Sequence, residues 1–438
     1  MGDTAVVIGA SVAGLAAART LSDFYNHVVL VDRDRLPDTA VPRRGVPQGP
    51  HAHVLAAAGV PAFETLFPGF LDEMVAAGGT AVDISSELRL SRYGRAWPPA
   101  APRDLVFLSA SRPLLEHVVR RRVTALSGVS IRDGIAVSGL TGSREAVTGV
   151  VLDTGERLRA DLVVDCSGRG NRSDRWLQAL GLPAPEEIEI KNGLGYATSI
   201  RRRTAGDLPG WKGLLHLSAP PDEHVNAMAL PLEEDRWIVG LMHWHATTLP
   251  TDEDALLATA RQLSDPTLAK LLEHTEPVGP PMTARRPSNR RRLFEKLNRP
   301  AAGLLTLGDA VCSFNPAYGH GMTVAAQQAV ALGPALRRHG TANAALVQDY
   351  HADAAAIIAT PWQLAVDGDF AHPATTGPRP RGTAFRNWYA TRVARASQQN
   401  PELKNTFFGV LQLAVPLPQL TRPAVAIQAI RHGGPPKS

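Results

Sequence analysis

A short apolar run, Ala5-Val6-Val7-Ile8, breaks into Gly9-Ala10-Ser11-Val12-Ala13-Gly14 and resumes as Leu15-Ala16-Ala17-Ala18-Arg19. A second apolar run, Val28-Val29-Leu30-Val31, then ends on Asp32. Strand, tight turn, helix and strand follow in the order that opens a helix-covered parallel sheet. Gly9 permits the turn, and Gly14 lets helix and strand pack closely. The helix N-terminus presents free N–H groups and a partial positive charge to a pyrophosphate. Asp32 stands 18 residues after Gly14, where an acceptor for ribose hydroxyls belongs. Ser11 replaces the middle glycine of the usual fingerprint. The segment predicts a dinucleotide site built from Gly9, Ser11, Ala13, Gly14, Asp32 and the adjoining Arg33, and its place at the start of the chain favours FAD over NAD.

Two later segments repeat the plan. Asp161-Leu162-Val163-Val164-Asp165-Cys166-Ser167-Gly168 reads as a buried strand running into a loop, with Ser173 beyond it. Gly303–Leu307 is a further strand, closed by Gly308-Asp309-Ala310 and followed by Asn315-Pro316-Ala317-Tyr318-Gly319-His320-Gly321-Met322 and a helix over Thr323–Leu332. In this order the three motifs resemble the group A flavoprotein monooxygenases, the family of aromatic hydroxylases and squalene-type epoxidases, over roughly residues 1–350. The resemblance implies an α/β fold in which a Rossmann-like FAD-binding domain carries an inserted antiparallel sheet for substrate.

It also implies roles. Asp309 holds a ribityl hydroxyl, and the Pro316-x-x-Gly319-x-Gly321 turn, with Met322, aims a helix N-terminus at the flavin's pyrimidine edge, where negative charge collects on reduction. Gly308 makes the turn before Asp309. Asp165 and Gly168 contribute from the middle motif, Asp165 less than Asp309 because Cys166-Ser167 intervene before the glycine that usually follows at once. NADPH or NADH supplies electrons and O2 is the co-substrate. Reduced flavin captures O2 as a C4a-hydroperoxide that delivers one oxygen atom, so the protein's task is orientation, electrostatics and exclusion of water.

The loop Pro42–His53 follows the second strand and can fold back over the cofactor. Arg43 or Arg44 is placed to hold FAD phosphate; Gln48 with His51 or His53 is placed to face the flavin ring. No certain catalytic side chain stands out beyond these four positions, Arg44, Gln48, His51 and His53. Arg112 opens a helix with Ser111 as N-cap and Pro113 in its first turn, and in related flavoproteins an arginine so placed contacts the cofactor.

The chain has 438 residues, enough for two or three domains, with 44% hydrophobic and 20% charged residues. No leader or membrane span is legible, and the two cysteines, Cys166 and Cys312, read as small buried fillers; both point to a cytoplasmic location. Net charge is +5, and arginines cluster at Arg120–Arg122, Arg201–Arg203 and Arg290–Arg292. Aromatic residues do not interleave with them, which argues against nucleic acid. They read as solvated faces, or as sites for a nicotinamide phosphate or an acidic carrier protein that delivers substrate. Arg285 and Arg286 are positioned to border the cavity. The pair His243 and His245 sits on one face of a strand, yet no cysteine or carboxylate adjoins it, so no metal is expected.

Residues 1–75, 111–184 and 285–350 are assigned to a discontinuous FAD-binding domain, 76–110 and 185–284 to a substrate domain, and 351–438 to a C-terminal helical cap. Helices are expected near Val54–Phe67, from Arg112 to about 126, over Thr251–Leu263 and over Pro266–His274. Strands are expected at Thr80–Leu90, Val225–Leu230 and Arg236–Trp244. Phe407–Val415 and Leu420–Ile430 are amphipathic, but prolines interrupt them, so packing on the body is favoured over contact with a membrane surface.

Within the resemblance, epoxidation of an alkene in a polyketide- or terpenoid-like secondary metabolite leads, because Arg-x-Gly-Val-Pro-Gln-Gly, Asp-Cys-Ser-Gly-Arg-Gly and Gly-Asp-Ala-Val-Cys-Ser-Phe-Asn-Pro resemble bacterial polyether-type epoxidases. An aromatic hydroxylase is the alternative in the family. An FAD-bound non-redox cyclase is the alternative outside it. A lipid reductase of the same fold also remains open, and a flavin halogenase is disfavoured because its Trp-x-Trp-x-Ile-Pro signature is missing. A partner flavin reductase is compatible with all the oxygenase readings.

Overall fold

The computed structural model describes residues 2–170 and 172–434. The first half alternates as expected: β1 (Thr4–Ile8), α1 (Val12–Leu21), β2 (His27–Asp32), α2 (Arg112–Thr124), β3 (Val129–Asp133) and β4 (Leu162–Asp165). Four long strands follow, β5 (Glu187–Arg202), β6 (Val225–Leu232), β7 (Arg236–His243) and β8 (Met282–Arg292). The chain then makes β9 (Leu304–Thr306), α3 (Gly321–His339) and α4 (Ala344–Asp369).

Five parallel strands lie in the order β9-β4-β1-β2-β3. Their register aligns Ile8 with both Val31 and Asp165, and Asp165 with Thr306. The turns after β1, β2, β4 and β9 therefore emerge along one edge of the sheet, the carboxyl edge at which such sheets bind ligands. Three motifs distant in sequence become neighbours through this register. The fully buried Ala16, Ala17 and Ala18 let α1 approach the sheet closely, and the Thr20 hydroxyl donates to the Ala329 carbonyl at 2.8 Å, joining α1 to α3.

The second layer is an eight-stranded sheet in which β8, β5, β7 and β6 lie side by side, extended beyond β6 by Gly213–His216, Leu88–Arg92 and Arg95–Ala96 and beyond β8 by Cys312–Ser313. The pairing is antiparallel except between Gly213–His216 and Leu88–Arg92. The mixed α/β architecture with an antiparallel second sheet is the one expected from sequence. Several boundaries differ. β8 is continuous, so residues 285–292 belong to the large sheet and not to the nucleotide-binding unit. Residues 76–110 divide between the large sheet and a small one formed by Val54–Leu55, Thr80–Asp83 and Val106–Ser109. The helix near residue 54 begins only at Gly59, because Val54 and Leu55 pair with Ser109 and Leu108.

The joint at residues 350–351 falls inside α4, 26 residues and about 39 Å long. Its first half packs Leu346, Val347 and Tyr350 into the core of the parallel sheet. Its last residue reaches the large sheet, where Asp369 accepts from Trp244. After it, helices Thr383–Ser397, Pro401–Leu411 and Pro423–His432 cover one end of the molecule. Phe407 and Phe408 are buried with Leu88, Leu90, Trp97 and Leu230 in one apolar cluster. No helix among the described residues is long and apolar enough to cross a membrane.

Candidate active site

The β1–α1 turn is closed by backbone. Gly9 holds φ +97°, and a Cβ on Gly14 would lie 1.8 Å from the Gly9 carbonyl oxygen. Ser11 is the N-cap of α1, yet its hydroxyl does not bond the first turn. It donates instead to Glu116 Oε2 at 2.8 Å and accepts from Arg112 Nη2 at 2.8 Å. The first N–H groups of α1 are thus left for a ligand. Asp32 accepts from the Ala10 N–H at 2.7 Å, fixing the second strand's end against the turn.

Arg43 sits among carboxylates. Its Nε donates to Glu116 at 2.7 Å, and its Nη1 donates to Asp34 at 3.0 Å and to Asp32 at 3.2 Å. The neighbouring carboxylates raise its pKa further against the opposing effect of burial. Among the described residues its Nη2 is buried without a hydrogen-bond partner, as is Nε of Arg112, which faces Glu116 Oε2 at 3.6 Å as an ion pair. Arg44 is exposed and lies outside the cavity, so of the two candidates only Arg43 reaches the site. Glu116, which ties Ser11, Arg43 and Arg112 together, escaped the sequence reading. Its signal was present: it lies one helical turn beyond Arg112, and a serine at a close-approach position needs a polar partner.

Asp309 follows Gly308, whose φ is +70° and whose N–H donates to Gln328 at 2.8 Å. The Asp309 carboxylate lines the cavity and accepts no hydrogen bond among the described residues. Burial pushes its pKa up, while Arg286, Arg112 and Arg169 pull it down. Asp165 differs: Oδ1 accepts from the Ser167 N–H at 2.9 Å and hydroxyl at 2.6 Å, Oδ2 is buried without a partner, and the residue does not border the cavity. Pro316 starts a short turn that Asn315 caps by accepting from the Ala317 N–H at 2.9 Å, Gly319 holds φ +69°, and Gly321 starts α3.

A single cavity of about 610 Å³ connects these parts. Gly9, Ser11, Ala13, Asp32, Arg33, Arg43, Arg112 and Gly168 line one end, and Asp309, Pro316, Gly319, Gly321 and Met322 line the middle. Gly14 and Gly308 stand behind this wall, packed on Gly9 and Ala13 respectively. The other end is the face of the large sheet, with Leu88, Leu90, Leu215, Met228, Leu230 and Met242, closed by Phe408. Gln48, His51 and His53 lie between the two ends. His51 Nδ1 bonds the Thr198 hydroxyl at 2.9 Å, and the His51 ring meets Tyr196 edge-on at 4.5 Å. Burial, with Arg286 second, lowers the His51 pKa to about 4, and burial lowers that of His53 to about 3. Both are neutral at pH 7.

Of the remaining sequence candidates, Arg286 borders the cavity, whereas Arg285 is exposed and donates to the Ala246 and Thr247 carbonyls. His243 and His245 belong to no metal-competent group among the described residues. Cys166 and Cys312 are free and buried. The site fits FAD on three physical counts: a turn too close for any side chain at Gly14, open N–H groups at the start of α1, and an unengaged carboxylate on Asp309.

A family model described as FAD binding domain matches residues 3–365. Protein Rv3254 of Mycobacterium tuberculosis is 33% identical, over 98% of this chain and 94% of its own length. Among solved structures, pqsL, a probable FAD-dependent monooxygenase from Pseudomonas aeruginosa, has a TM-score of 0.63 at 18% identity, covering 85% of this chain and 98% of that one. The flavin-dependent brominase Bmp2 has a TM-score of 0.68 at 16% identity, covering 98% of both chains. The Diels-Alderase PyrE3 of pyrroindomycin biosynthesis has a TM-score of 0.61 at 17% identity, covering 95% of this chain and 81% of that one. At these identities the structural likeness is one of fold.

Proposed function

The chain belongs to the FAD binding domain family, and from that premise we propose that it is an FAD-dependent monooxygenase acting on a hydrophobic small molecule, with epoxidation of an alkene as its chemistry. The continuity of the cavity carries this reading: one continuous cleft joins a dinucleotide cradle to an apolar chamber under the large sheet. Bound FAD, reduced by NADPH or NADH, supplies the activation of O2 and the transfer of one oxygen atom.

The chain's residues position and insulate. The α1 N-terminus receives the pyrophosphate, Asp32 the adenosine ribose, and Asp309 a ribityl hydroxyl. Arg112 and the free Nη2 of Arg43 add donors beside them. The Pro316–Gly321 turn directs the start of α3 at the ring. Met228, Met242, Leu230 and Phe408 keep water from the reacting atoms. His51 and His53, neutral and weakly basic, are poorly matched to deprotonating a phenol. An alkene needs no base, and this favours epoxidation over aromatic hydroxylation.

Anaerobic mixing of the FAD-loaded protein with NADPH and NADH tests the reading. The visible flavin absorption is expected to bleach, and when substrate and labelled O2 are then admitted, one oxygen atom from O2 is expected to enter product. Product formed without O2 and without bleaching would replace it by a non-redox cyclase, which the same shaped chamber and the fold shared with a Diels-Alderase would also serve.

The assignment of the two carboxylates predicts unequal effects. Asp309→Ala is expected to weaken FAD binding by at least about tenfold, the value of a hydrogen bond to a charged group. Asp165→Ala removes an acceptor for Ser167 and so costs fold stability, while FAD affinity stays within about threefold of the parent, because the residue does not reach the cavity. Equal losses of bound flavin after gel filtration would reverse the ranking.

A further inference from the structure

We propose that the chamber takes an amphipathic organic anion, a carboxylate on an apolar unsaturated body, and that Arg286 is the residue that recognises the charge. This deepens the oxygenase reading by naming the substrate class of the same cavity.

The cavity face of the large sheet changes character from one strand to the next. Arg286 on β8 is in register with Leu194 of β5, two residues from Tyr196 and four from Thr198. Side chains two apart share a face, so these groups point the same way. The same face continues through Met242 on β7 and Met228 and Leu230 on β6 to Leu215, Leu88 and Leu90. It is cationic and polar at one edge and apolar from there on, over about 24 Å for five strand spacings.

Arg286 also stands apart from the cavity's other guanidiniums. Arg43 bonds three carboxylates, Arg112 lies 3.6 Å from Glu116, and Arg169 lies 4.0 Å from Glu189. Arg33 and Arg172 are exposed. Arg286 is half-buried and forms no ion pair among the described residues. Its partners are neutral: it donates to Gln48 Oε1 at 3.1 Å and bonds the Tyr196 hydroxyl. Asp309 is the nearby opposing charge, but Arg286, Arg112 and Arg169 all act on it, so the edge stays cationic. A partly buried guanidinium without a carboxylate presents its fork to an incoming one. A carboxylate is ionised at neutral pH by itself, which suits a pocket whose histidines are weak bases.

Calorimetric titration of the FAD-loaded protein with cinnamate, sorbate and oleate, each against its own methyl ester, tests the inference. At least one acid is expected to bind about tenfold to a hundredfold more tightly than its ester. Arg286→Met is expected to erase that difference at unchanged FAD content, and Arg286→Lys to keep part of it. Equal binding of acids and esters, binding by none of the acids, or loss of FAD in Arg286→Met would each overturn it, the last by assigning Arg286 to the cofactor. Binding needs no turnover, so a failed oxygenase assay leaves this result standing and is read separately.

Discussion

Gly14→Val is expected to yield a protein that holds no FAD. The new Cβ would fall 1.8 Å from the Gly9 carbonyl oxygen, 2.9 Å from its carbon and 3.3 Å from Val7 Cγ1. Two of these three atoms are backbone, so no rotamer change makes room. Relief requires α1 to move off β1, but Ala16, Ala17 and Ala18 are packed with no exposure and Thr20 is bonded to α3. Overpacking of this kind costs about 1–3 kcal/mol or more. The strain falls on the turn whose N–H groups face the cavity, so flavin affinity is expected to drop by more than about a hundredfold. Gly139→Ala is the matched control, because a Cβ there meets nothing within 4 Å. Its ratio of flavin to protein absorbance should equal the parent's. Normal flavin loading by Gly14→Val would sink the assignment of the cradle.

The parts of the site that were legible in sequence are those whose chemistry is local. The turn from Gly9 to Gly14 and the Gly308-Asp309 step each need particular residues at neighbouring positions, and the chain turns at each, with positive φ at Gly9 and Gly308 and no room for a Cβ at Gly14. Arg43 and Arg44 were indistinguishable, because an irregular loop has no period to tell an inward side chain from an outward one. β5 went unread although it is the longest strand of the large sheet: its alternation is broken at Asn192-Gly193, where the pairing with β8 slips between Lys191 and Leu194. Gly193 takes φ +59° there, and His245 crowds the position of its Cβ. The boundary near residue 285 was misplaced because arginines fill β8, and a charged run resembles a loop until its partner Glu187 is seen across the strand pair. Asp369 left no trace in sequence, since its five side-chain donors, Asn192, Trp244, Asn289, Asn315 and Tyr318, come from four other segments of the chain.

That residue carries the second large effect. Asp369→Ala is expected to lower stability by about 3–5 kcal/mol, because several buried neutral donors lose their acceptor at about 1–3 kcal/mol apiece, partly recovered by local relaxation. Its Oδ2 accepts from the side-chain amides of Asn192 at 2.7 Å and Asn289 at 2.6 Å, and its Oδ1 from Trp244 Nε1 at 2.8 Å and Asn315 Nδ2 at 2.7 Å. The Tyr318 hydroxyl adds a longer bond to Oδ1 at 3.5 Å. The side chain has no exposure, so alanine leaves these five donors without their acceptor. Asp369→Asn keeps the shape but turns one acceptor into a donor, and is expected to fall between parent and alanine variant. Asp369 does not line the cavity, so its effect on FAD passes through Asn315, which caps the Pro316–Gly321 turn. Thermal unfolding at rising FAD concentration separates the two consequences. The parent's midpoint should climb with ligand by mass action, and that of Asp369→Ala should start lower and climb less, because the turn that receives the flavin has lost its anchor. A lower start with an equal climb would confine Asp369 to holding α4 against the large sheet.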